Sequence, residues 1–464
     1  MKPSAVAIVR ELRQAGFAAY FVGGCVRDQV MGQEPKDYDI ATSARPEQVM
    51  RLFPQTVPVG AQFGVVLVIL EGRKYEVATF RSDGAYHDGR RPEDVTYTDE
   101  ARLDVLRRDF TMNGLLYDPL AGEVLDYVGG QSDIGKGLLR SIGDPVRRFG
   151  EDKLRMMRAV RFAARFQFSL EQQTLDAIVR ASKQIAQVSK ERLRDELIRI
   201  LTEGAAHDGF LLLDQTQLLN SILPEISALQ GVEQPPEFHP EGDVWTHTML
   251  MLQIMDQTRR QLAQGTNPTA TDWKQLSAGE QDEVESYPSI SLAMAVLLHD
   301  VGKPLTFEVK DRIRFNNHCE EGARLATRIC ERFRLANRQT ERIVQLVRDH
   351  LKFKDLPQMK PSTLKRFLRQ VGFDEHLELH RIDCLGSHRQ LELWHLARQM
   401  REQLRPEEIR PEPLISGDDL IQLGYRPGPM FKQILKSVED AQLELAVRTR
   451  EEALDWVGSR FARE

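Results

Sequence analysis

The two aspartates in Asp37-Tyr38-Asp39 are the first residues whose types and spacing could do chemistry. We predict a β-strand over residues 37–41, and side chains two residues apart on a strand project from the same face. Adjacent carboxylates repel each other unless a cation lies between them, and their oxygens suit Mg²⁺ together with substrate phosphates. The spacing therefore indicates a Mg²⁺ site, although an exposed strand edge would explain this pattern alone equally well.

A glycine pair, Gly23-Gly24, precedes the aspartates and stands between a short apolar strand and a predicted helix. Two glycines at such a position let backbone amides approach a phosphate, and the helix N-terminus favours an anion. Arg27 follows one turn into the helix and could pair with a phosphate through two hydrogen bonds. The segment fits a phosphate beside the carboxylates, whereas a glycine pair by itself more often marks a plain turn.

Two further motifs follow in order, RRDFTMN at residues 107–113 and EDKLRMMRAVRF at residues 151–162. With them, roughly the first 210 residues resemble the class II tRNA nucleotidyltransferase (CCA-adding enzyme) and bacterial poly(A) polymerase family. The resemblance implies that Asp37 and Asp39 are catalytic and hold the metal ions. It also implies a set of nucleotide-binding residues: Gly24, Arg27, Arg108, Asp109, Asn113, Asp152, Arg155, Arg158 and Arg161.

In this resemblance, Asp152 and Arg155 read the incoming base, and their chemistry agrees with that role. Residues three apart on a helix are surface neighbours. A carboxylate accepts from an exocyclic amine and a guanidinium donates to ring acceptors, so cytosine and adenine satisfy the pair while guanine and uracil do not. The implied reaction is attack of a tRNA 3′-hydroxyl on the α-phosphate of CTP or ATP, with release of pyrophosphate. The alternative for these two residues is a plain salt bridge on a helix.

Residues 81–107 are polar and contain glycine, and we interpret them as a long loop between the two head motifs. Family members that add only the two cytidines lack such a loop, which favours complete CCA addition or, as an alternative, addition of the final A alone. Poly(A) polymerases of the family tend to carry basic terminal extensions. Because this chain begins directly at its first predicted helix, we expect that function least.

A second constellation lies in the region 239–395, which holds nine of the eleven histidines. The sequence HDVGK at residues 299–303 closes an apolar helix and resembles the HD-domain metal phosphohydrolases. The resemblance implies a second metal centre with these ligands: His247, His299, Asp300, His318, His350 and Asp383. Four other histidines we interpret as capping or surface residues: His239, His376, His388 and His395.

Mixed imidazole and carboxylate ligands suit a transition metal such as Mn²⁺, Fe²⁺ or Ni²⁺. Hydroxide on such a metal hydrolyses phosphoesters, and we expect 2′,3′-cyclic phosphates or 2′-phosphates at damaged RNA ends as substrates. A different class of function remains open from the sequence, because a signalling HD hydrolase could carry a head that only binds RNA.

The elements that must position these sites indicate an α+β fold, a small nucleotidyltransferase sheet domain followed by an extended all-α body. We predict four domains: a catalytic head at 1–140, a helical nucleotide- and RNA-binding neck at 141–225, an HD metal-binding domain at 226–400 and a helical tail at 401–464. The predicted elements include a helix at 4–16, a strand at 19–22 and a hairpin of 65–70 with 75–80. Beyond residue 144 we predict helices only, with a loop or insertion at 261–288.

The 464 residues have an ordinary globular composition, 41% hydrophobic and 28% charged. No stretch approaches the ~18 consecutive apolar residues of a membrane span. The four cysteines are scattered without a CxxC pair, which argues against both a disulfide framework and a cysteine-based zinc site. We therefore exclude secreted and membrane proteins and predict a cytoplasmic enzyme.

The net charge of −6 conceals a basic segment at residues 147–199, where thirteen lysines and arginines face seven acidic residues. A local basic stripe is the electrostatic feature expected of a nucleic-acid partner. We predict that helices from this segment follow the tRNA backbone. A solvated helix face is the alternative explanation of such a run.

Overall fold

The computed structural model describes residues 2–60, 64–83, 95–264 and 287–462. The chain divides into two compact units, Met1–Ser227 and Ala228–Glu464. A sheet with helices in the first unit and a mostly helical second unit confirm the predicted α+β head followed by a helical body. The division into four domains stays a prediction. Within the described ranges, no helix has both the length and the apolar character needed to traverse a bilayer.

The first half of the first unit alternates strands and helices. In chain order these are α1 (Lys2–Gln14), β1 (Ala19–Val22), α2 (Gly24–Val30), β2 (Asp39–Thr42), α3 (Pro46–Leu52), β3 (Thr56–Gly60), β4 (Val65–Leu70), β5 (Arg73–Thr79), β6 (Arg81–Asp83), β7 (Val95–Tyr97), α4 (Ala101–Leu106), β8 (Leu115–Asp118), β9 (Glu123–Asp126) and α5 (Gly130–Gly135). Strands β6 and β7 pair with each other outside the main sheet. A short 3₁₀ turn, Thr111–Asn113, connects α4 to β8.

Seven of these strands form one sheet in the order β3-β4-β5-β2-β1-β8-β9. Strand β2 runs parallel to β5, and the other neighbours in the sheet are antiparallel. Along β5, Tyr75 and Val77 are buried while Lys74 and Glu76 are exposed, as expected for a strand with one covered face. The apolar side of α1 joins Tyr75 and Val77 in one core. The sheet is therefore covered on that face and open on the other at β5.

The second half of the first unit is mainly helical. Its elements are β10 (Leu138–Leu139), α6 (Pro145–Glu151), α7 (Leu154–Phe166), β11 (Ser169–Leu170), α8 (Gln172–Ala181), α9 (Lys190–Thr202), α10 (Ala206–Gln215), α11 (Leu218–Ile222) and α12 (Pro224–Ser227). Helix α7 packs against α9 and α10. Most of its side chains are buried, Arg161 among them, while Arg155 and Arg158 are half-buried and Arg165 is exposed.

The second unit contains α13 (Val244–Ala263), α14 (Ile290–Leu298), α15 (Lys303–Thr306), β12 (Phe307–Val309), β13 (Ile313–Phe315), α16 (His318–Arg332), α17 (Asn337–Asp349), α18 (Pro361–Leu368), α19 (Phe373–Gly386), α20 (Glu392–Gln403), α21 (Pro406–Ile409), α22 (Gly417–Gln422), α23 (Pro429–Leu443) and α24 (Arg450–Arg460). Helix α14 is apolar along its length and nearly all its side chains are buried, which marks a helix enclosed by others. It packs against α13, α17 and α19. The chain leaving α14 therefore starts from the interior of the unit.

Several predicted elements are confirmed, namely the first helix within two residues, the strand Ala19–Val22 and the hairpin of β4 with β5. The prediction of a single loop over residues 81–107 is wrong, because β6, β7 and α4 form at its two ends. Residues 84–94 of that segment lie outside the described residues. Of the loop predicted at 261–288, residues 265–286 also lie outside them, and α13 extends into its start.

The prediction of helices only beyond residue 144 is also wrong. Strand β11 pairs in parallel with β10, and β12 forms a hairpin with β13. These strands have two or three residues each, which is too short for a two-residue alternation to be recognised in the sequence.

Candidate functional site

The predicted metal-binding aspartates lie where β1 ends and β2 begins. Val22, the last residue of β1, pairs with Asp39, the first residue of β2, so Gly23 follows directly beside Asp39. Gly23 has a φ of 72°, a left-handed conformation that glycine adopts at little cost. The chain can therefore turn from β1 straight into α2 next to the carboxylate.

The strand predicted over residues 37–41 begins two residues later than expected. Asp37 is exposed and precedes β2, whereas Asp39 is half-buried within it. The antiparallel pairing with β1 starts only at Asp39, so the alternation of a strand does not by itself orient Asp37. Asp37 nevertheless lies close enough to Asp39 to raise the pKa of that carboxyl group.

A third carboxylate, Glu76, was not predicted from the sequence. Parallel pairing of β2 with β5 sets Ile40 opposite Val77, so Glu76 lies beside Asp39. Burial, then the charges of Glu76 and Asp37, raise the pKa of Asp39 to about 6, while Arg108 opposes the rise. Two carboxylates that raise the pKa of a third make a site where a divalent cation would relieve the repulsion. The donors are all hard oxygens, so this group of residues fits Mg²⁺.

An open cavity of about 500 Å³ lies in the first unit. The structure brings all nine residues predicted to bind the nucleotide to its walls: Gly24, Arg27, Arg108, Asp109, Asn113, Asp152, Arg155, Arg158 and Arg161. It adds lining residues that sequence reasoning missed: Gly23, Arg107, Leu154, Phe162, Arg192 and Arg199. Eight of the lining residues are arginines, so the cavity suits a polyanion.

Carboxylates hold several of these arginines in place. Arg27 donates to Asp28 at 2.6 Å and to the Asn113 side-chain oxygen at 2.9 Å. Arg108 donates to Asp104 at 2.7 Å, and the Asp104 carboxylate is almost completely buried. Such pairs fix the guanidinium groups before any ligand arrives, which reduces the entropy lost on binding.

Asp109 and Arg158 form a further pair across the cavity wall. Arg158 donates twice to one Asp109 oxygen, at 2.9 and 2.6 Å. Burial alone would raise the pKa of Asp109, but the charge and hydrogen bonds of Arg158 hold that pKa below its ordinary value. The Asp109 carboxylate is therefore ionised and bound to Arg158 of α7. This ion pair links the RRDFTMN motif to the EDKLRMMRAVRF motif.

Asp152 and Arg155 are not neighbours on one helix, contrary to the prediction. Asp152 lies between α6 and α7, where its carboxylate accepts from the Leu154 amide and from Arg192 of α9. Arg155 donates instead to Glu151 and to the Arg107 carbonyl oxygen. The helical hydrogen bonding is interrupted at Asp152. The Asp152 and Arg155 side chains therefore each bind other residues at the cavity wall and do not form a salt bridge with each other.

Arg161 is the most buried arginine of the predicted set. Its guanidinium donates to Glu196 of α9 at 2.6 Å and lies 4.2 Å from the centre of the Phe162 ring. A buried ion pair that loses one partner costs about 3–5 kcal/mol. Arg161 therefore ties α7 to α9 as well as contributing positive charge to the cavity.

The second constellation forms inside the second unit, where helices bring distant residues together. His247 comes from α13, His299 and Asp300 follow α14, His318 begins α16 and Asp383 lies on α19. The remaining predicted ligand, His350, directly follows α17. The rings of His247 and His299 are 5.3 Å apart, those of His299 and His350 5.5 Å, and those of His318 and His350 5.4 Å. All six predicted ligands thus belong to one cluster.

Several atoms of this cluster are buried without a hydrogen-bond partner among the described residues. They are Nε2 of His247, Nε2 of His299 and Oδ1 of Asp300. Donor atoms of His247, His299 and Asp383 lie within 4.8 Å of one another. The two ring nitrogens do lie near carboxylate oxygens, 3.2 Å from Asp383 Oδ1 for His247 and 3.0 Å from Asp300 Oδ2 for His299, so imidazole and carboxylate donors converge on one space. The residues therefore fit a transition metal.

Protonation of the cluster is set by burial and by its carboxylates. Burial lowers the pKa of His350 to about 3, so its ring is neutral and can act as a ligand. Burial also opposes protonation of His247, but Asp383 and Glu241 raise its pKa to about 9. Around His247 the environment is therefore negative enough to hold a cation.

His239 and Glu241 were not predicted to belong to this cluster. His239 was interpreted as a surface or capping residue, yet its ring lies 5.0 Å from that of His247. Glu241 Oε1 lies 2.8 Å from His239 Nδ1 and 2.7 Å from His247 Nδ1. Both residues precede α13 in an irregular segment, where periodicity gives no indication of which side chains turn inward.

Gly302 allows α15 to approach α16 closely. A Cβ there would overlap the His318 carbonyl oxygen and lie 2.5 Å from the Gly322 amide nitrogen. We expect Gly302→Ala to lower the free energy of unfolding of the second unit by about 3 kcal/mol, because overpacking moves backbone, and to weaken metal binding by displacing His318. Thermal unfolding and metal titration measure the two effects.

Gly458→Ala is the matched control, because a Cβ on that helical residue of the same unit contacts nothing within 4 Å. It should leave metal binding unchanged and alter stability by no more than about 1 kcal/mol. Equal effects of the two substitutions would contradict the close approach of α15 to α16.

Models of three protein families match the chain in the same order as these features. A poly A polymerase head domain matches residues 19–140, a probable RNA- and SrmB-binding site of polymerase A matches 167–229, and an HD domain matches 244–371. The first match contains the aspartates and the RRDFTMN motif, and the third contains most of the histidine cluster.

Curated relatives carry the name CCA-adding enzyme. The one from Geobacillus kaustophilus is 46% identical over 231 residues, which are 49% of this chain and 57% of the relative. The one from Lactobacillus helveticus is 36% identical over 279 residues, 59% of this chain and 68% of the relative. The chain thus spans little more than half the length of the first of these relatives.

Solved structures agree over the whole chain. The CCA-adding enzyme of Bacillus stearothermophilus in complex with CTP has a TM-score of 0.70 and 27% identity, covering 99% of this chain and 97% of that one. The Thermotoga maritima CCA-adding enzyme complexed with tRNA has a TM-score of 0.56 at 18% identity, covering 98% and 94%, and shows the fold alone. The chain therefore belongs to the tRNA nucleotidyltransferase family of CCA-adding enzymes and bacterial poly(A) polymerases, with an HD domain in its second unit.

Proposed function

We propose that the chain is a tRNA 3′-end CCA-adding nucleotidyltransferase that uses CTP and ATP without a template. The observation that carries this proposal is a cavity lined by Gly23 and eight arginines, with Asp39 directly beside the Gly23 turn because it pairs with Val22. Support also comes from the relatives named CCA-adding enzymes, one of them solved with CTP.

In this function, Asp37 and Asp39 hold Mg²⁺, and Glu76 lies near enough to assist. The ion, when bound, supplies a Lewis acid for the α-phosphate and the attacking 3′-hydroxyl. Arg27 and Arg108, already oriented by Asp28 and Asp104, bind the triphosphate. No covalent intermediate with the protein is needed, because positioning and charge stabilisation suffice.

Base selection falls to Asp152 and Arg155 in the proposal, and Arg192 now joins them because it holds the Asp152 carboxylate. We expect Arg155→Ala to reduce discrimination of CTP and ATP against UTP and GTP by roughly 10- to 100-fold, since a good base-edge pair contributes about 1–3 kcal/mol. Steady-state incorporation of the four nucleotides measures this ratio. Arg180→Ala, an exposed arginine of α8, is the control.

The opposite result would be an equal loss for all four nucleotides with unchanged selectivity. Arg155 would then only support the wall through Glu151 and the Arg107 carbonyl oxygen, and the base-reading role would be abandoned.

The experiment that tests the proposed function is extension of two tRNA transcripts, one ending at the discriminator base and one ending in CC, with CTP and ATP. Addition of all three nucleotides to the first transcript is the expected result. Growth of the CC-ended transcript alone, by a single A, would instead establish an A-adding enzyme. Long A tracts would indicate a poly(A) polymerase, and no incorporation would leave an RNA-binding head on an HD hydrolase.

We also propose that the HD unit is a metal-dependent phosphohydrolase that acts on 2′,3′-cyclic phosphates or 2′-phosphates at RNA ends, with Mn²⁺, Fe²⁺ or Ni²⁺. The clustered unpaired atoms of His247, His299 and Asp300 support it. When bound, the metal supplies an activated water for attack on phosphorus. Hydrolysis of a cyclic-phosphate oligonucleotide by protein loaded with each metal in turn tests it, and inactivity with all three would contradict it.

The cytoplasmic location stays a prediction.

A further inference from the structure

Cys319 lies at the edge of the histidine cluster, although the sequence argued against cysteine ligation. It follows His318 in the first turn of α16, and its Sγ is 3.6 Å from His318 Nε2. Donor atoms of His318, Cys319 and His350 all lie within 4.8 Å of one another. The thiol therefore shares a space with two imidazoles that are themselves buried.

A fourth donor faces the same space. Asp300 is 2% exposed, and its Oδ1 has no hydrogen-bond partner in the described part of the chain. That atom lies 3.6 Å from His318 Nε2 and 3.8 Å from His350 Nε2. The other oxygen, Oδ2, is bound by Lys303 at 2.6 Å. Asp300 is thus held with one oxygen anchored and the other near the two imidazoles that also lie close to the thiol.

The separations match those of a four-coordinate ion. Metal bonds of about 2.0–2.1 Å to nitrogen or oxygen and about 2.3 Å to sulfur place tetrahedral ligand atoms about 3.3–3.6 Å apart. Three of the six separations among these four ligand atoms lie within a few tenths of an ångström of that range: 3.6 Å from Cys319 Sγ to His318 Nε2, 3.6 Å from Asp300 Oδ1 to His318 Nε2 and 3.8 Å from Asp300 Oδ1 to His350 Nε2.

We propose that Cys319 is a thiolate ligand of a metal ion that His318, His350 and Asp300 also hold. This inference rests on the proposed HD metal centre and specifies one of its positions. Thiolate ligation selects borderline and soft ions, so the position takes Zn²⁺, Fe²⁺ or Co²⁺ in preference to Mn²⁺ or Mg²⁺. The other ligands of the cluster, His247, His299 and Asp383, contain no sulfur.

The test uses the full chain loaded with Co²⁺, whose bond to a thiolate gives a strong charge-transfer absorption in the near ultraviolet. We expect this absorption in the unsubstituted protein, its loss in Cys319→Ser and its retention in Cys330→Ala, a buried cysteine of the same helix. Competition titration with Zn²⁺ should show about a tenfold or greater loss of affinity at one position in Cys319→Ser only.

Bound Co²⁺ without the absorption, or an absorption that persists in Cys319→Ser, overturns the assignment of Cys319 and leaves the HD metal centre intact. Absence of any bound Co²⁺ overturns both. An alkylation experiment needs no variant. Bound Zn²⁺ should slow the modification of Cys319 by iodoacetamide, because a metal-bound thiolate is a poorer nucleophile. Mass spectrometry of the peptide that contains Cys319 measures the rate. Equal alkylation with and without bound Zn²⁺ also overturns the proposal.

Discussion

Asp39→Asn is expected to slow nucleotide incorporation by at least about 10³-fold, equivalent to about 4 kcal/mol in the activation barrier. Of the two aspartates Asp37 and Asp39, only Asp39 lies within β2 and is oriented by the sheet. Burial and the neighbouring charges of Glu76 and Asp37 make its side chain costly to ionise without a cation. The amide keeps the shape but removes the charge that would bind Mg²⁺. Single-turnover extension of a tRNA transcript with saturating CTP measures the change.

The control is Glu123→Gln, an exposed carboxylate on β9, at the far edge of the same sheet. It should incorporate nucleotides at the rate of the unsubstituted protein. Circular dichroism should show both variants folded. If Asp39→Asn retained activity within tenfold, the catalytic carboxylates would have to lie elsewhere, and Glu76 would be the next residue to replace.

His299→Ala should abolish metal-dependent phosphoester hydrolysis, with a loss of at least about 10³-fold in rate. The side chain is buried, its Nε2 lacks a hydrogen-bond partner among the described residues, and it lies between the rings of His247 and His350. Removal of this imidazole deprives the cluster of its central nitrogen donor. Hydrolysis of a 2′,3′-cyclic-phosphate oligonucleotide, with bound metal quantified in parallel, measures the effect.

His395→Ala provides the comparison, because His395 is an exposed histidine of the same unit. It should hydrolyse and bind metal normally. Neither histidine substitution should change nucleotide incorporation, and Asp39→Asn should not change hydrolysis. Loss of incorporation in a folded His299→Ala protein would contradict the assignment of two separate sites.

Much of the nucleotide cavity could be predicted because its motifs are short and local. The glycine turn directly follows β1, and Asp39 begins β2, the next strand in the chain. The resemblance to the family identified the arginines of α7. Glu76 could not be predicted, because its position beside Asp39 depends on the parallel pairing of β2 with β5. Arg192 was missed for a similar reason, since α9 must fold back onto α7 before it reaches Asp152.

The boundaries of elements account for the errors. Asp152 was expected on one helix with Arg155, but α6 ends at Glu151 and α7 begins at Leu154, so Asp152 lies between the two helices. In the histidine cluster, the ligands on helices or directly after them were predicted from the resemblance to HD proteins, whereas His239 and Glu241 come from an irregular segment before α13. Tertiary packing, which no local pattern encodes, decides which side chains of such a segment turn inward.

The division of the chain after Ser227 also has a genetic meaning. Every lining residue of the nucleotide cavity is encoded before that point, and every ligand proposed for the HD centre is encoded after it. A missense mutation that inactivates the cavity of the first unit therefore leaves the metal ligands of the second unit unchanged, and the reverse also holds. Two alleles with defects in different halves should complement each other in one cell, and mutations can change the proposed nucleotide transfer and the proposed phosphoester hydrolysis independently.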